Sequence, residues 1–166
     1  KQRNSLKALL VKRQQFEKDF EQWEWFNTST SQGYWLDKKD ISLETAVMDM
    51  LQKNGFDVSL TPTIGDGGID LIATDSSGRF LIQCKGLNKP CGVATIRDAV
   101  GVQAIEQNPM IVVCPRGFTE GAQKTAQQGS VGLMSVFELI MFAKQDITLK
   151  SLAKGPQTIT KYRAKK

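Results

Sequence analysis

Leu6, Leu9, Leu10, Phe16, Phe20 and Trp23 recur at helical spacing through residues 5 to 26, with Lys and Glu between them. That rhythm predicts an amphipathic helix, with Ser5 placed to cap its start. Residues 27 to 39 are polar apart from Tyr34 and Trp35 and a flanking Leu36, and they read as a linker whose aromatics pack on the body. This leading segment is read as a packing or oligomerisation helix rather than a catalytic part. A second helix is expected over 41–54, with Asp40 or Ser42 as cap and Asn54-Gly55 as the stop. Phe56 to Leu60 reads as a strand, followed by Pro62 and a glycine turn.

Two apolar runs, Ile69 to Thr74 and Phe80 to Cys84, flank Asp75-Ser76-Ser77-Gly78 and predict a β-hairpin within 68–86. An even-numbered loop makes facing residue numbers sum to 153, which sets Asp70 opposite Gln83. Downstream, 93–107 reads as a helix ended by Asn108-Pro109, and Met110 to Cys114 as a strand buried on both faces. Thr119 caps a short helix through Gln127, with Gly129 at its end. Leu133 to Val136 is a last strand and Phe137 to Phe142 a last apolar helix. The order α-β-β-β-α-β-α-β-α, with the hairpin first and helical crossovers after it, predicts an α/β fold: a mixed sheet with helices on both faces.

Composition narrows the chemistry. With 166 residues the chain can bury one real core, and no apolar run approaches the length that crosses a bilayer. It opens on Lys1 rather than Met, so a preceding segment is expected. There is no histidine, which removes His-based acid–base work, Ser-His-Asp triads and His-ligated metals. Cys84, Cys91 and Cys114 form no CxxC pair, which argues against a disulfide framework or a structural zinc site. The net charge is +5, but the stretch from Lys144 onward carries +6 and the remaining 143 residues sum to −1. A basic tail suits a phosphate backbone, although a solvated terminus gives the same composition.

Within those limits a few residues could carry chemistry. Asp70 lies in an otherwise apolar strand, where a carboxylate must be solvated, paired or metal-bound; a salt bridge to Lys85 is the plain alternative. Alternation along the strand puts Gln83 and Lys85 on one face and Cys84 on the other, as a small core residue. Asp70, Gln83 and Lys85 are therefore expected to converge on one patch. A hard cation could take oxygens from Asp70, the Cys84 carbonyl and Gln83, while Lys85 holds the attacking water or stabilises phosphate charge. Glu44 lines up with Val47, Met48 and Leu51 on the helix face that meets the sheet, or it complements the helix dipole from the first turn. Gln103 offers an amide to DNA or metal waters, with a solvent-facing role equally open. Gly65, Gly67 and Gly68 precede a strand and no Lys-Ser/Thr follows, so they are not a phosphate loop; they let the chain turn beside Asp70.

Taken together, Glu44, Gly65-Asp66-Gly67-Gly68-Ile69-Asp70 and Gln83-Cys84-Lys85 resemble the Mrr-like branch of the PD-(D/E)xK nuclease superfamily, over about residues 42 to 137. The resemblance implies a restriction-endonuclease-like αβββαβ core with an N-terminal helical extension. By it, Asp70 matches the metal-binding acid, Gln83 the position usually held by a second acid, Lys85 the catalytic lysine, Glu44 the helix acid and Gln103 a frequent polar helix position. Gln83 in place of an acid lowers the local negative charge. No separate winged-helix domain for reading DNA is visible; residues 1–40 are too short for one.

The expected organisation is an N-terminal helix and linker (1–40), a nuclease domain (41–145) and a basic C-terminal tail (146–166). The expected activity is Mg²⁺-dependent hydrolysis of DNA phosphodiester bonds, with Mn²⁺ able to substitute, in a cytoplasmic restriction or defence role. DNA is the expected partner, with a homodimer and a partner or domain at the N-terminus. The competing readings are a non-catalytic DNA-binding module that keeps the fold and a structure-specific repair or junction nuclease.

Overall fold

The structure is a computed structural model and describes residues 2–61 and 68–161. The expected turn at Pro62, Gly65, Asp66 and Gly67 lies outside the described residues, as do Arg163, Lys165 and Lys166.

The first helix, α1 (Gln2–Ser29), runs further than its apolar rhythm suggests. The expected linker is itself partly helical: α2 spans Gln32–Leu36. The reason is tertiary. Trp35 is fully buried and its indole N–H donates to the Ser29 carbonyl at 2.7 Å, which folds α2 back on the end of α1. Tyr34 packs edge-on to both Trp25 and Trp35. Both aromatics thus join the body as expected.

Helix α3 (Asp40–Lys53) starts one residue early, and neither Asp40 nor Ser42 caps it. The cap position is Lys39, whose backbone N–H donates to Ser42 Oγ at 2.9 Å. Ser42 therefore supplies the reciprocal half of a capping arrangement from inside the first turn. Asn54 and Gly55 (φ +89°) end the helix as expected.

Strands β1 (Asp57–Leu60), β2 (Leu71–Asp75), β3 (Gly78–Cys84), β4 (Met110–Val113) and β5 (Gly132–Met134) form one sheet in sequence order. β1, β2 and β3 pair antiparallel; β3, β4 and β5 pair parallel. The hairpin register is the one the loop length dictates, from Leu71↔Ile82 to Asp75↔Gly78. The turn holds because Asp75 Oδ1 accepts from the Ser77 N–H at 2.7 Å, and Gly78 takes φ +148°. Between β3 and β4 runs α4 (Val93–Glu106), and between β4 and β5 runs α5 (Glu120–Gly129). Thr119 caps α5 by accepting from the Ala122 N–H, and Ser130 takes the left-handed position just past Gly129. α6 (Val136–Ala143) begins at Val136 rather than Phe137, because Ser135 caps it. A further short helix, α7 (Leu149–Leu152), follows.

Strand alternation divides the apolar side chains into two cores. On one face Leu71, Ala73, Phe80, Ile82, Ile111 and Val113 meet Leu43, Val47, Met50 and Leu51 of α3 and Leu139 and Phe142 of α6. On the other face Leu81, Met110 and Val112 meet Ile96 and Ala99 of α4 and Ala122 and Ala126 of α5. β4 is buried on both sides, as its uninterrupted Met-Ile-Val-Val run requires.

Two polar ties close this second layer. The Gln103 amide donates to the Gly129 carbonyl (2.8 Å) and accepts from the Met110 N–H (2.9 Å). Gln123 donates to the Thr160 carbonyl (3.0 Å) and accepts from the Thr160 N–H (2.6 Å). The expected basic tail is anchored to the body at Leu149, which is buried, and at Thr160. Among the described residues no helix is long and apolar enough to cross a membrane.

Candidate active site

The expected site residues sit where the antiparallel hairpin ends and the parallel half of the sheet begins. Asp70 prolongs the β2–β3 ladder: its N–H donates to the Ile82 carbonyl at 2.8 Å. Lys85 prolongs the β3–β4 pairing, donating its N–H to the Val113 carbonyl at 2.8 Å. Both side chains are half-buried. The strands thus fix the backbone positions of the acid and the lysine from opposite edges of β3, with the rigidity that strands give and loops do not.

The Asp70 side chain does not follow the simple register. Leu71 packs in the α3-side core and Ile72 in the α4-side core, yet Ile69 also packs on the α4 side. Strict alternation would send Ile69 to the α3 side, so the chain bends at Ile69–Asp70. The bend lets Asp70 Oδ2 accept from the Cys84 backbone N–H at 2.7 Å. Thr61 braces the same point: its N–H donates to the Asp70 carbonyl at 3.1 Å, and its hydroxyl donates to the Ile69 carbonyl.

Glu44 meets Asp70 from α3. Burial, then the charge of Asp70, a hydrogen bond between the two carboxyl groups, and the charge of Asp40 hold Glu44 above the ordinary carboxylate range. The Cys84 thiol is pushed well up by burial and further by Asp70 and Glu44. Cys84 therefore alternates to the α3 side as expected, but that is the side to which the carboxylates turn, so the thiol lies beside them rather than away from them.

Gln83 is 9% exposed and lies against Gly68, where an added Cβ would stand 2.9 Å from its Nε2. Gly68 has φ +64°, a conformation that suits glycine and leaves the amide its space. Alternation places Gln83 and Lys85 on the side of Leu81. The Cys91 thiol on that side is lowered, first by a hydrogen bond with Cys114 and least by the positive charge of Lys85. No ion pair joins Asp70 to Lys85 among the described residues; the salt bridges found lie elsewhere, Arg13–Glu17 and Lys53–Asp49. The expected convergence of Asp70, Gln83 and Lys85 on one patch is therefore not met. The Glu44–Asp70 carboxyl pair lies with the Cys84 backbone on the α3 side of β3, and Gln83 and Lys85 issue toward the α4 side of the same strand end, because the bend at Ile69–Asp70 turns the acid across.

Gln103 does not belong to this cluster. Both ends of its amide are committed to backbone groups at the far side of α4, so neither a DNA contact nor a solvent-facing role describes it. Sequence reading passed over Thr61 and Gly86. An added Cβ at Gly86 would stand 2.6 Å from Lys39 Cα and 2.7 Å from Asp40 N. The strand end just after Lys85 is thus pressed against the start of the helix that carries Glu44. A glycine directly after Gln83-Cys84-Lys85 was the available signal.

Glu44, Asp70, the Gln83 amide and a backbone carbonyl are all oxygen donors, the set preferred by a hard divalent cation. Two carboxyls close enough to raise the proton affinity of one fit such a cation, because it would relieve the same repulsion. Among the described residues, no three His, Cys, Asp or Glu side chains gather as a metal site on their own. Water and amide or carbonyl oxygens would complete any coordination, as is usual for Mg²⁺.

Residues 39–142 match the family model Mrr_cat, restriction endonuclease. That is more than half of the chain, and the protein belongs to this family, the PD-(D/E)xK nucleases, with the restriction-endonuclease-like α/β fold its sheet displays. No curated protein matches it. Among solved structures it is similar to "Crystal Structure of Protein of Unknown Function AF1548", with 19% identity and a TM-score of 0.49. That likeness covers 61% of this chain, and the chain spans 65% of the other's length.

Proposed function

We propose that the protein is a metal-dependent DNA endonuclease that hydrolyses phosphodiester bonds at the end of β3, where Glu44 and Asp70 meet and from which Gln83 and Lys85 issue, with residues 41–145 as the catalytic unit. The observation that carries this reading is the meeting of the Glu44 and Asp70 carboxyls beside the Cys84 backbone, one residue from Lys85. A packed fold gains nothing from two acids held together, since each raises the cost of ionising the other. Membership of a nuclease family supports the same reading.

Asp70 and the Cys84 carbonyl would hold Mg²⁺, with Gln83 orienting a bound water and Mn²⁺ able to take the cation's place. The bound cation supplies Lewis-acid stabilisation of phosphoryl oxygen and lowers the pKa of water. Asp70 is oriented for that task by its bond from the Cys84 N–H, which fixes one carboxylate oxygen. Glu44 adds negative charge next to Asp70. Lys85, held by its backbone bond to Val113, positions water and offsets charge that develops on the phosphate.

The test is a supercoiled-plasmid nicking and linearisation assay in Mg²⁺, Mn²⁺ and EDTA. Metal-dependent cleavage, slowed about 10²–10³-fold in Lys85→Met, is the expected result. Retention of DNA in a gel shift with no cleavage under any divalent metal would overturn the reading in favour of a DNA-binding module. Cleavage confined to branched or flapped DNA would keep the chemistry and reassign the substrate to repair structures.

A further inference from the structure

Helix α1 exposes an apolar stripe, interrupted at Arg13, that the nuclease site does not use. Leu9, Phe16 and Trp23 are 62%, 69% and 59% exposed, and Leu6, Leu10 and Phe20 are exposed too. The rings of Phe16, Phe20 and Trp23 stack along it, with centroids 6.4 and 5.9 Å apart. α1 touches the body through its other side. Trp25 packs on the α3-side core with Lys53 over its ring, and Ser29 is buried. At ~100° per residue, Trp25 and Ser29 point roughly opposite to Leu9, Phe16, Phe20 and Trp23. A stripe of this size on a 28-residue helix marks an interaction surface.

Two further features name its occupant. First, Leu6, Leu9, Arg13, Phe16, Phe20 and Trp23 follow the alternating three- and four-residue spacing of a coiled-coil seam. Second, charge is segregated along the helix. Residues 2–13 carry Arg3, Lys7, Lys12 and Arg13 and no acid, while residues 14–29 carry Glu17, Asp19, Glu21 and Glu24 against Lys18 alone. This polarity runs against the helix's own dipole, with no acid in the first turn and no base in the last, so it does not serve the isolated helix.

We infer that α1 is a self-association helix, whose stripe packs against the same stripe of a second copy running antiparallel. In that arrangement Leu6 faces Trp23, Leu9 faces Phe20, and Arg13 faces Phe16 of the second copy, a contact that suits a guanidinium. The flanking positions then pair Lys12 with Asp19 and Arg3 with Glu24, so every charged flanking contact in those pairs is of opposite sign. Glu17 meets Leu10 and keeps its bond from Arg13 in its own helix (3.2 Å), and Gln15 already steers Asp19 from one turn back (2.9 Å). A parallel, in-register pair would set Arg13 against Arg13 in the seam and Asp19 near Glu24. Because the stripe faces away from the body, the second helix docks without displacing Trp25 or α2.

The experiment is sedimentation equilibrium on the full chain, a readout of mass that is independent of cleavage. A dimer is expected for the wild type and a monomer for Phe16→Glu/Phe20→Glu, with near-ultraviolet dichroism from the buried Trp35 retained in both. Lys12→Glu should weaken the dimer, and adding Asp19→Lys should restore it. Under mild oxidation, Lys12→Cys/Asp19→Cys should give a covalent dimer that neither single cysteine variant gives. A monomeric wild type, or a dimer indifferent to Phe16→Glu/Phe20→Glu, would overturn the inference. So would a covalent dimer from Leu9→Cys alone, which marks parallel packing. Binding of a monomeric chain to phosphatidylserine vesicles that Phe16→Glu/Phe20→Glu abolishes would also overturn it, and would give the stripe to a membrane surface.

Discussion

Asp70 Oδ2 accepts a 2.7 Å hydrogen bond from the backbone N–H of Cys84, so the acid proposed to hold metal is also the partner of a strand-end amide. The two roles separate by substitution. Asp70→Ala leaves the Cys84 N–H without its partner, at about 1–3 kcal/mol. Asp70→Asn keeps an acceptor oxygen there. Both variants are expected to lose cleavage, while only Asp70→Ala loses measurable stability in a urea titration. Wild-type cleavage by Asp70→Asn would remove Asp70 from the chemistry.

Lys85 contributes its backbone to the β3–β4 pairing and its ammonium to the site. Lys85→Met keeps the former and the aliphatic stem. The expected outcome is a loss of about 10²–10³ in cleavage rate, the scale of removing one charge-stabilising donor. The melting temperature should stay close to that of the wild type. Single-turnover cleavage of a labelled duplex checks it.

Glu44 supplies a pH signature. Its folded pKa is raised, so its contribution to stability is fully present below the unfolded value and is lost as pH rises through the folded one. In the metal-free protein, Glu44→Gln should therefore gain on the wild type as pH rises through the carboxylate range, and the two should converge in acid. Added Mg²⁺ should raise the wild-type melting temperature more than that of Glu44→Gln. Thermal melts across pH, with and without the cation, read both effects.

Gln103→Ala should behave in the opposite way to the site variants. It strands the Met110 N–H and the Gly129 carbonyl, which costs about 1–3 kcal/mol for each buried group left unpaired. Cleavage per folded molecule should be unchanged. A selective loss of activity in a fully stable Gln103→Ala would return this residue to the site.

Gly68→Ala probes the pocket around Gln83. The positive φ costs about 1 kcal/mol for any other residue, and the new methyl would stand 2.9 Å from Gln83 Nε2. The expected result is a rise in the Mg²⁺ needed for half-maximal cleavage, read from a metal titration of the rate.

The hairpin was legible because any even-numbered loop centred between Ser76 and Ser77 leaves the same register, and the Met110–Val113 run because burial on both faces leaves no polar position. Glu44 was legible from helical spacing alone. The turn of the Asp70 carboxylate toward Cys84 was not, because it follows from the bend at Ile69 that only packing against the α4 side reveals. The extension of α1 and the formation of α2 depend on Trp35 finding the Ser29 carbonyl, a tertiary bond that local pattern does not encode. The ties Gln103–Gly129 and Gln123–Thr160 join an amide to backbone far along the chain, so spacing in the sequence gives no sign of either.

Gly86 has a consequence for engineering and for divergence alike. Because the strand after Lys85 rests directly on the backbone of Lys39 and Asp40, a hydrogen atom is the spacer that sets how closely that strand end approaches the start of the helix carrying Glu44. Any larger group there acts as a shim. It would lift the front of α3 and detune the spacing without altering a single reactive atom.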